Sequence, residues 1–177
     1  KNKNIEKNII IRNNFINIYL KKLLQKNKKI FCIVDTKVKA KLYKTLNNNK
    51  FNCIYLKCDE GIKDIKNYDK LCKKLISMNI DRESILVSIG GGTLGDLCGF
   101  VASTILRGVE FKLVPTTLLS QVDSSIGGKN GINVKFGKNL IGTFYQPDFV
   151  LIDISILKSL PRREMICGYG EILKHSL

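Results

Sequence analysis

The sequence is short of several things that would each narrow its function at once. No apolar run approaches the roughly 20 residues a membrane-crossing helix needs, and no signal-peptide pattern opens the chain, so neither insertion nor export is expected. Six cysteines are present without a single C-x-x-C pair. That removes the usual zinc-finger and redox spacings and leaves free thiols in a reducing cytoplasm as the expectation. A catalytic zinc site usually takes three protein ligands, and His175 is the only histidine available. Acidic residues are scarce in one half only: residues 1–80 hold 20 of the 30 lysines and arginines but 6 of the 15 acids. The formal charge of +15 therefore belongs to the first half, in stretches such as Lys21-Lys22 and Lys28-Lys29 interleaved with asparagine, as in Asn47-Asn48-Asn49. This pattern reads as surface drift toward Lys and Asn, not as a nucleic-acid face. Residues 81–177 are nearly neutral, and the glycines cluster there.

What is present is an ordinary globular balance, with 44% hydrophobic and 25% charged residues over 177 positions, enough for one well-buried core. Apolar β-branched runs predict strands at 28–35, 51–56, 84–89, 111–114 and 149–153. Four-residue apolar spacings predict helices at 36–48, 64–78 and 95–106, and Pro161 starts another that runs to the end. Strand and helix alternate, and the strands are apolar throughout. The expectation is an α/β fold, Rossmann-like, with a mostly parallel sheet covered by helices on both faces. Residues 115–147 lack clear periodicity and read as loop-rich, which in a compact domain usually means function.

Four motifs carry chemistry. In GGGTLGD (90–96), Gly90, Gly92 and Gly95 form G-x-G-x-x-G between a strand and a helix, where backbone amides can approach a pyrophosphate. Asp35, ending the first clear strand, is the candidate for a ribose; a simple strand-ending polar residue is as good a local reading. PTTLLSQVDSSIGGK (115–129) gathers tandem threonines, Asp123, two serines, two glycines and Lys129. Asp123 can accept from hydroxyls of a sugar-like ligand, and Gly127-Gly128 with Lys129 suit an anion. GKNLIG (137–142) repeats the Gly-Lys-amide theme, although an exposed turn explains it nearly as well. In GYGEILKHSL (168–177), helical spacing puts Glu171, Lys174 and His175 on one face, as a surface ion pair or as two metal ligands.

Taken in succession, these motifs resemble the 3-dehydroquinate synthase family. GGGTLGDLCGFVASTILRG (90–108) follows the family pattern, PTTLLSQVDSSIGGK nearly repeats its core segment, and GKN, FYQP (144–147), LPRRE (160–164) and GEILK follow at family spacing. The resemblance implies an NAD- and divalent-metal-dependent (zinc or cobalt) enzyme of the carbon–oxygen lyase type. Its reaction converts 3-deoxy-D-arabino-heptulosonate 7-phosphate to 3-dehydroquinate and phosphate, in the shikimate pathway of aromatic amino acid biosynthesis. The alternatives are another sugar-phosphate cyclase or a polyol dehydrogenase of the same superfamily. By the same resemblance, Asp35, Glu60 and Lys63 hold the adenosine side of NAD, and Gly91, Gly92, Thr93 and Asp96 surround its pyrophosphate. Thr116, Thr117, Leu119 and Ser124 complete that cleft, and Lys138 lies near cofactor and substrate. Asp123, Lys129, Asn139 and Lys174 contact the sugar-phosphate acid, Arg107 reaches the phosphate bound by the other subunit of a homodimer, and Glu171 is the first metal ligand. Residues 1–155 correspond to the NAD-binding domain with its opening strands incomplete. Residues 156–177 correspond to the first helix of an otherwise missing helical domain that carries the family's other two metal ligands, so this chain alone is expected to be inactive. Two departures stand out: Asp59 where the family has glycine, and Asn130 where it has threonine.

Overall fold

A computed structural model of the chain describes residues 8–47 and 51–177. Six strands form one parallel sheet: β1 (Ile9–Arg12), β2 (Ile30–Asp35), β3 (Asn52–Leu56), β4 (Ile85–Gly90), β5 (Glu110–Pro115) and β8 (Phe149–Asp153), in the order β1-β8-β5-β4-β2-β3. Between β5 and β8 the chain leaves this sheet and builds a separate antiparallel hairpin, β6 (Lys129–Val134) and β7 (Gly137–Phe144). The expected strands are all present. The segment expected to be loop is not, for it holds this hairpin and a turn of π-helix at Ser120–Ser124.

The four central strands, β2, β4, β5 and β8, are buried on both sides, as continuous apolar strands require, while the edge strands β1 and β3 are only partly covered. Along β2, Phe31 and Ile33 face one way, against α3 (Ile65–Ser77) and α4 (Gly92–Thr104). Ile30, Cys32 and Val34 face the other, against α1 (Ile16–Leu23) and α2 (Lys39–Leu46). The helix expected to reach 48 ends at Leu46, and residue 48 itself lies outside the described residues. Each Leu or Ile so buried contributes about 1.5–3 kcal/mol of transfer free energy.

Two features of the connectivity position the site. From β2 the chain runs outward to β3 and then crosses back to β4 on the opposite side of β2. The carboxyl ends of β2 and β4 thus border a point where the winding reverses, which is where open α/β sheets leave a crevice. In addition, α4 begins at Gly92, three residues earlier than its apolar pattern predicts, so the glycine run is the helix start itself. α4 is buried nearly all round, because the hairpin lies across its outer side. There Asn130 packs against Gly99, where a Cβ would stand 1.8 Å from its amide oxygen. Thr143 Oγ1 also donates to Ser103 Oγ at 2.9 Å.

The chain's ends are tied together by one carboxylate. Asp153, fully buried at the end of β8, accepts from the amides of Asn14, Phe15 and Ile16 at 3.0, 2.7 and 2.8 Å and so caps α1 from 137 residues away or more. Ser155 adds its amide and hydroxyl at 3.0 and 2.6 Å. The last helix, α5 (Arg162–Ser176), packs on the π-helical segment, with Gly168 against Leu118.

Candidate active site

Two cavities open side by side at the carboxyl edge of the sheet. The smaller, of about 300 Å³, lies over the glycine-led start of α4. Asp35 and Glu60 line it on one side, Gly91, Gly92 and Thr93 form its floor, and Thr116, Thr117 and Leu119 close the other side. Gly91 and Gly92 are needed for space: a Cβ on Gly92 would sit 2.6 Å from Ser124 Oγ, and one on Gly91 3.2 Å from the Thr117 methyl. The first free amides of α4 thus meet the cavity with no side chain between, an arrangement that favours an anion. Asp35 is buried, and one of its carboxylate oxygens accepts from the Lys37 amide at 3.0 Å.

The larger cavity, of about 630 Å³, lies between the π-helical turn and the hairpin. Asp96, Asp123, Ser124, Lys129 and Asn139 line it, and Ser124 lies against Gly92 of the smaller cavity. The π-helical segment is anchored by Gln121, which donates to the carbonyls of Pro115 and Asp153 at 3.1 and 3.2 Å. Asp123, two residues on, is exposed to the cavity. The unexpected Asn130 has a clear place: its amide donates to the carbonyls of Gly128 and Tyr145 at 2.8 and 2.9 Å, which fixes the glycine pair beside Lys129.

A charge network crosses between the cavities. Lys63, 4% exposed, puts its ammonium 2.5 Å from Asp96. Burial pushes the Asp96 carboxyl above the ordinary aspartate range, and Lys63 only partly offsets it. Glu60 is held low, first by the amide of Asn133 at 3.0 Å and then by Lys63, Lys138 and Thr93. Lys138, exposed on the hairpin and in neither lining, lies 3.7 Å from Glu60.

On α5, Lys174 is exposed and bonds Glu171 at 2.6 Å, so it pairs with Glu171 instead of lining either cavity. His175 Nε2 lies 3.4 Å from Glu171 and 3.9 Å from Asp123. Asp123, Glu171 and His175 therefore converge, each offering one ligand atom within 4.8 Å of the others. Two carboxylates and an imidazole suit zinc or cobalt. The sequence placed Glu171 and His175 on one helix face; their meeting with Asp123 depends on how α5 docks. Arg107 stands apart, exposed beyond the far end of α4, about 20 Å along the helix from Gly92. Asn133, which no motif singled out, is bonded to both the Glu60 turn and the hairpin.

The fold and the paired cavities define a class first: an α/β scaffold shared by sugar-phosphate cyclases and metal-containing dehydrogenases. A solved 2-deoxy-scyllo-inosose synthase superposes with a TM-score of 0.84 at 25% identity, over 94% of this chain and 49% of that one. The 2-epi-5-epi-valiolone synthase of Streptomyces hygroscopicus, solved with NAD+ and Zn2+, gives 0.85 at 24% identity over 94% and 48%, a likeness of fold.

Residues 53–167 match the family model described as 3-dehydroquinate synthase N-terminal, and the chain belongs to that family. The 3-dehydroquinate synthase of Pelagibacter ubique is 46% identical over 96% of this chain and 48% of its own length. That of Buchnera aphidicola is 40% identical over 92% and 46%. The chain thus spans about half the length of the curated relatives it matches. Among the described residues, no helix is long and apolar enough to cross a membrane.

Proposed function

We propose that this chain is the NAD-binding and substrate-orienting part of a 3-dehydroquinate synthase. The observation that carries the proposal is the adjacency of the two cavities, where Gly92 of the smaller lies against Ser124 of the larger. A dinucleotide on the glycine-led helix start would reach directly to a ligand held by Asp123, Lys129 and Asn139. When bound, NAD supplies a transient hydride acceptor and the divalent metal a Lewis acid. The 2-epi-5-epi-valiolone synthase structure, with its NAD+ and Zn2+, supports this pairing.

The chain's own residues have the following parts. Asp35, Glu60 and Lys63 orient the adenosine side, and Gly91, Gly92 and Thr93 offer amides and a hydroxyl to the pyrophosphate. Asp96, one turn further along α4, holds the Lys63 ammonium near that pyrophosphate. Thr116, Thr117, Leu119 and Ser124 shape the rest of the cleft. In the larger cavity, Asp123 accepts from substrate hydroxyls, Lys129 balances the anionic groups of 3-deoxy-D-arabino-heptulosonate 7-phosphate, and Asn139 fixes its orientation. Lys138 and Lys174, paired with Glu60 and Glu171 outside that lining, would turn toward the same carboxylate and phosphate when substrate binds. Glu171 holds the metal, with Asp123 and His175 within reach of the same ion. Arg107, remote from this site, serves the phosphate of a second subunit in a homodimer.

Calorimetric titration of NAD into the chain, beside Asp96→Ala, tests the cofactor half. Saturable binding, weakened about tenfold in the variant (about 1.4 kcal/mol), is expected. A folded wild-type chain that takes up no NAD would refute the assignment. Phosphate release by the full-length gene product, offered 3-deoxy-D-arabino-heptulosonate 7-phosphate and other sugar phosphates in turn, tests the substrate.

A further inference from the structure

The hairpin that carries Lys129, Lys138 and Asn139 is not part of the main sheet, so something else must fix its distance from the nucleotide cleft. The ladder between β6 and β7 is regular as far as Ile132↔Ile141 and resumes at Val134↔Gly137. Asn133 falls in the irregularity between them. Freed from the ladder, it directs its polar groups elsewhere. Its backbone amide donates to the Lys63 carbonyl at 2.7 Å, and its side-chain amide donates to Glu60 Oε1 at 3.0 Å. Its side-chain oxygen accepts from the Asn139 amide at 3.0 Å, beside the left-handed turn that Asn139 makes at φ 56°.

We propose that Asn133 is a positioning residue that sets the spacing between the Glu60–Lys63 turn and the Lys138–Asn139 turn. Groups assigned to the cofactor and groups assigned to the substrate are thereby delivered as one unit. The inference rests on the function proposed above for its meaning, and on geometry alone for the coupling. The side-chain amide meets the demand with two separate atoms, Nδ2 donating to a carboxylate and Oδ1 accepting from a backbone amide. Aspartate keeps the acceptor for Asn139 but turns a second carboxylate toward Glu60. Leucine, of similar size, offers neither.

The test reverses the polarity of the Asn133–Glu60 bond. In Asn133→Asp, NAD affinity is expected to fall about tenfold, as loss of a charge-assisted bond implies. In the Glu60→Gln background, where the glutamine amide can donate to the introduced carboxylate, the same substitution is expected to change affinity less than about twofold. An equal loss in both backgrounds, or none in either, would overturn the proposal, since general damage to the hairpin does not depend on which partner faces it. Amide hydrogen exchange of the ligand-free variants gives a second readout. Asn133→Asp should speed exchange at both 60–63 and 138–139, and the double variant should restore it. If wild type binds no NAD, the functional reading fails while exchange still decides the coupling; exchange that rises in one turn only would sink it.

Discussion

Lys63 is the natural place to perturb the site, because it is the buried half of an ion pair whose other half is still a fifth exposed (4% and 21% side-chain exposure). Lys63→Met keeps the stem and removes the ammonium 2.5 Å from Asp96. Removing one partner of a fully buried pair costs about 3–5 kcal/mol. Water reaches Asp96, so the cost here is expected at about 2–3 kcal/mol at pH 7. The penalty should also depend on pH. Asp96 is already raised by burial, and without Lys63 it rises further. A carboxyl raised in the folded state binds more protons there than in the unfolded chain, so stability falls as pH climbs from about 4 through the raised value. The variant should therefore lose less at pH 5 than at pH 7, and Lys63→Met with Asp96→Asn should recover most of the deficit. Urea unfolding at the two pH values measures this. A pH-independent loss, or a double variant that loses the sum of both singles, would refute a desolvated charge as the cause.

Further predictions concern the elements that hold the site. Gly168→Ala should destabilise by about 2 kcal/mol or more by overpacking, because its Cβ would lie 2.5 Å from Leu118, whereas Gly170→Ala, with open space, should gain up to about 1 kcal/mol of helix propensity; thermal unfolding compares them. Asp153→Asn turns one acceptor oxygen into a donor facing backbone amides and should cost about 2–3 kcal/mol. Burial would raise Asp153, but the hydrogen bonds from Ser155, Ile16 and Phe15 outweigh it and hold it below the usual aspartate range. Wild type should therefore lose this contribution as pH falls from about 4 through the depressed value, a loss that acid titration should find absent in Asp153→Asn. Cobalt absorption, titrated into wild type and Glu171→Gln, should show a saturable visible band that the substitution abolishes; an unchanged band would exclude Glu171 as a ligand.

How much of this was legible in the sequence depended on the kind of signal. Five of the six sheet strands were readable from their apolar runs, and α3 because Leu71 and Leu75 repeat at helical spacing; β1 was missed, a four-residue edge strand whose burial pattern is only partial. The start of α4 was misplaced because three glycines suggest a turn, yet they serve as a helix start opened for a ligand. The hairpin was missed for a related reason. Its strands approach so closely that a Cβ on Gly142 would meet the Asn130 carbonyl at 2.1 Å, so glycine stands where β-formers would announce a strand. Parts of the two cavities were anticipated as motifs, since residues 91–93 and 116–119 in the smaller and 123–129 in the larger are short contiguous runs, although each cavity is completed by segments distant in sequence. Asn133 and the meeting of Asp123 with His175 were not, because they arise from packing between distant segments. No local pattern encodes the docking of α5 on Leu118.

The sheet order also bears on how the chain reaches this structure. Among the described strands, β1 pairs only with β8, and α1 receives its cap from Asp153 at the end of β8. The strand β1 thus has no sheet partner until β8 has joined β5. Residues 9–12 must wait for that partner while some 130 residues of chain are closed into a loop, a separation that favours slow folding, whereas α1 can already pack on β2 and α2. Until β8 is in place, β1 and the open edge of β5 are the parts of this sheet most exposed to wrong pairing and aggregation.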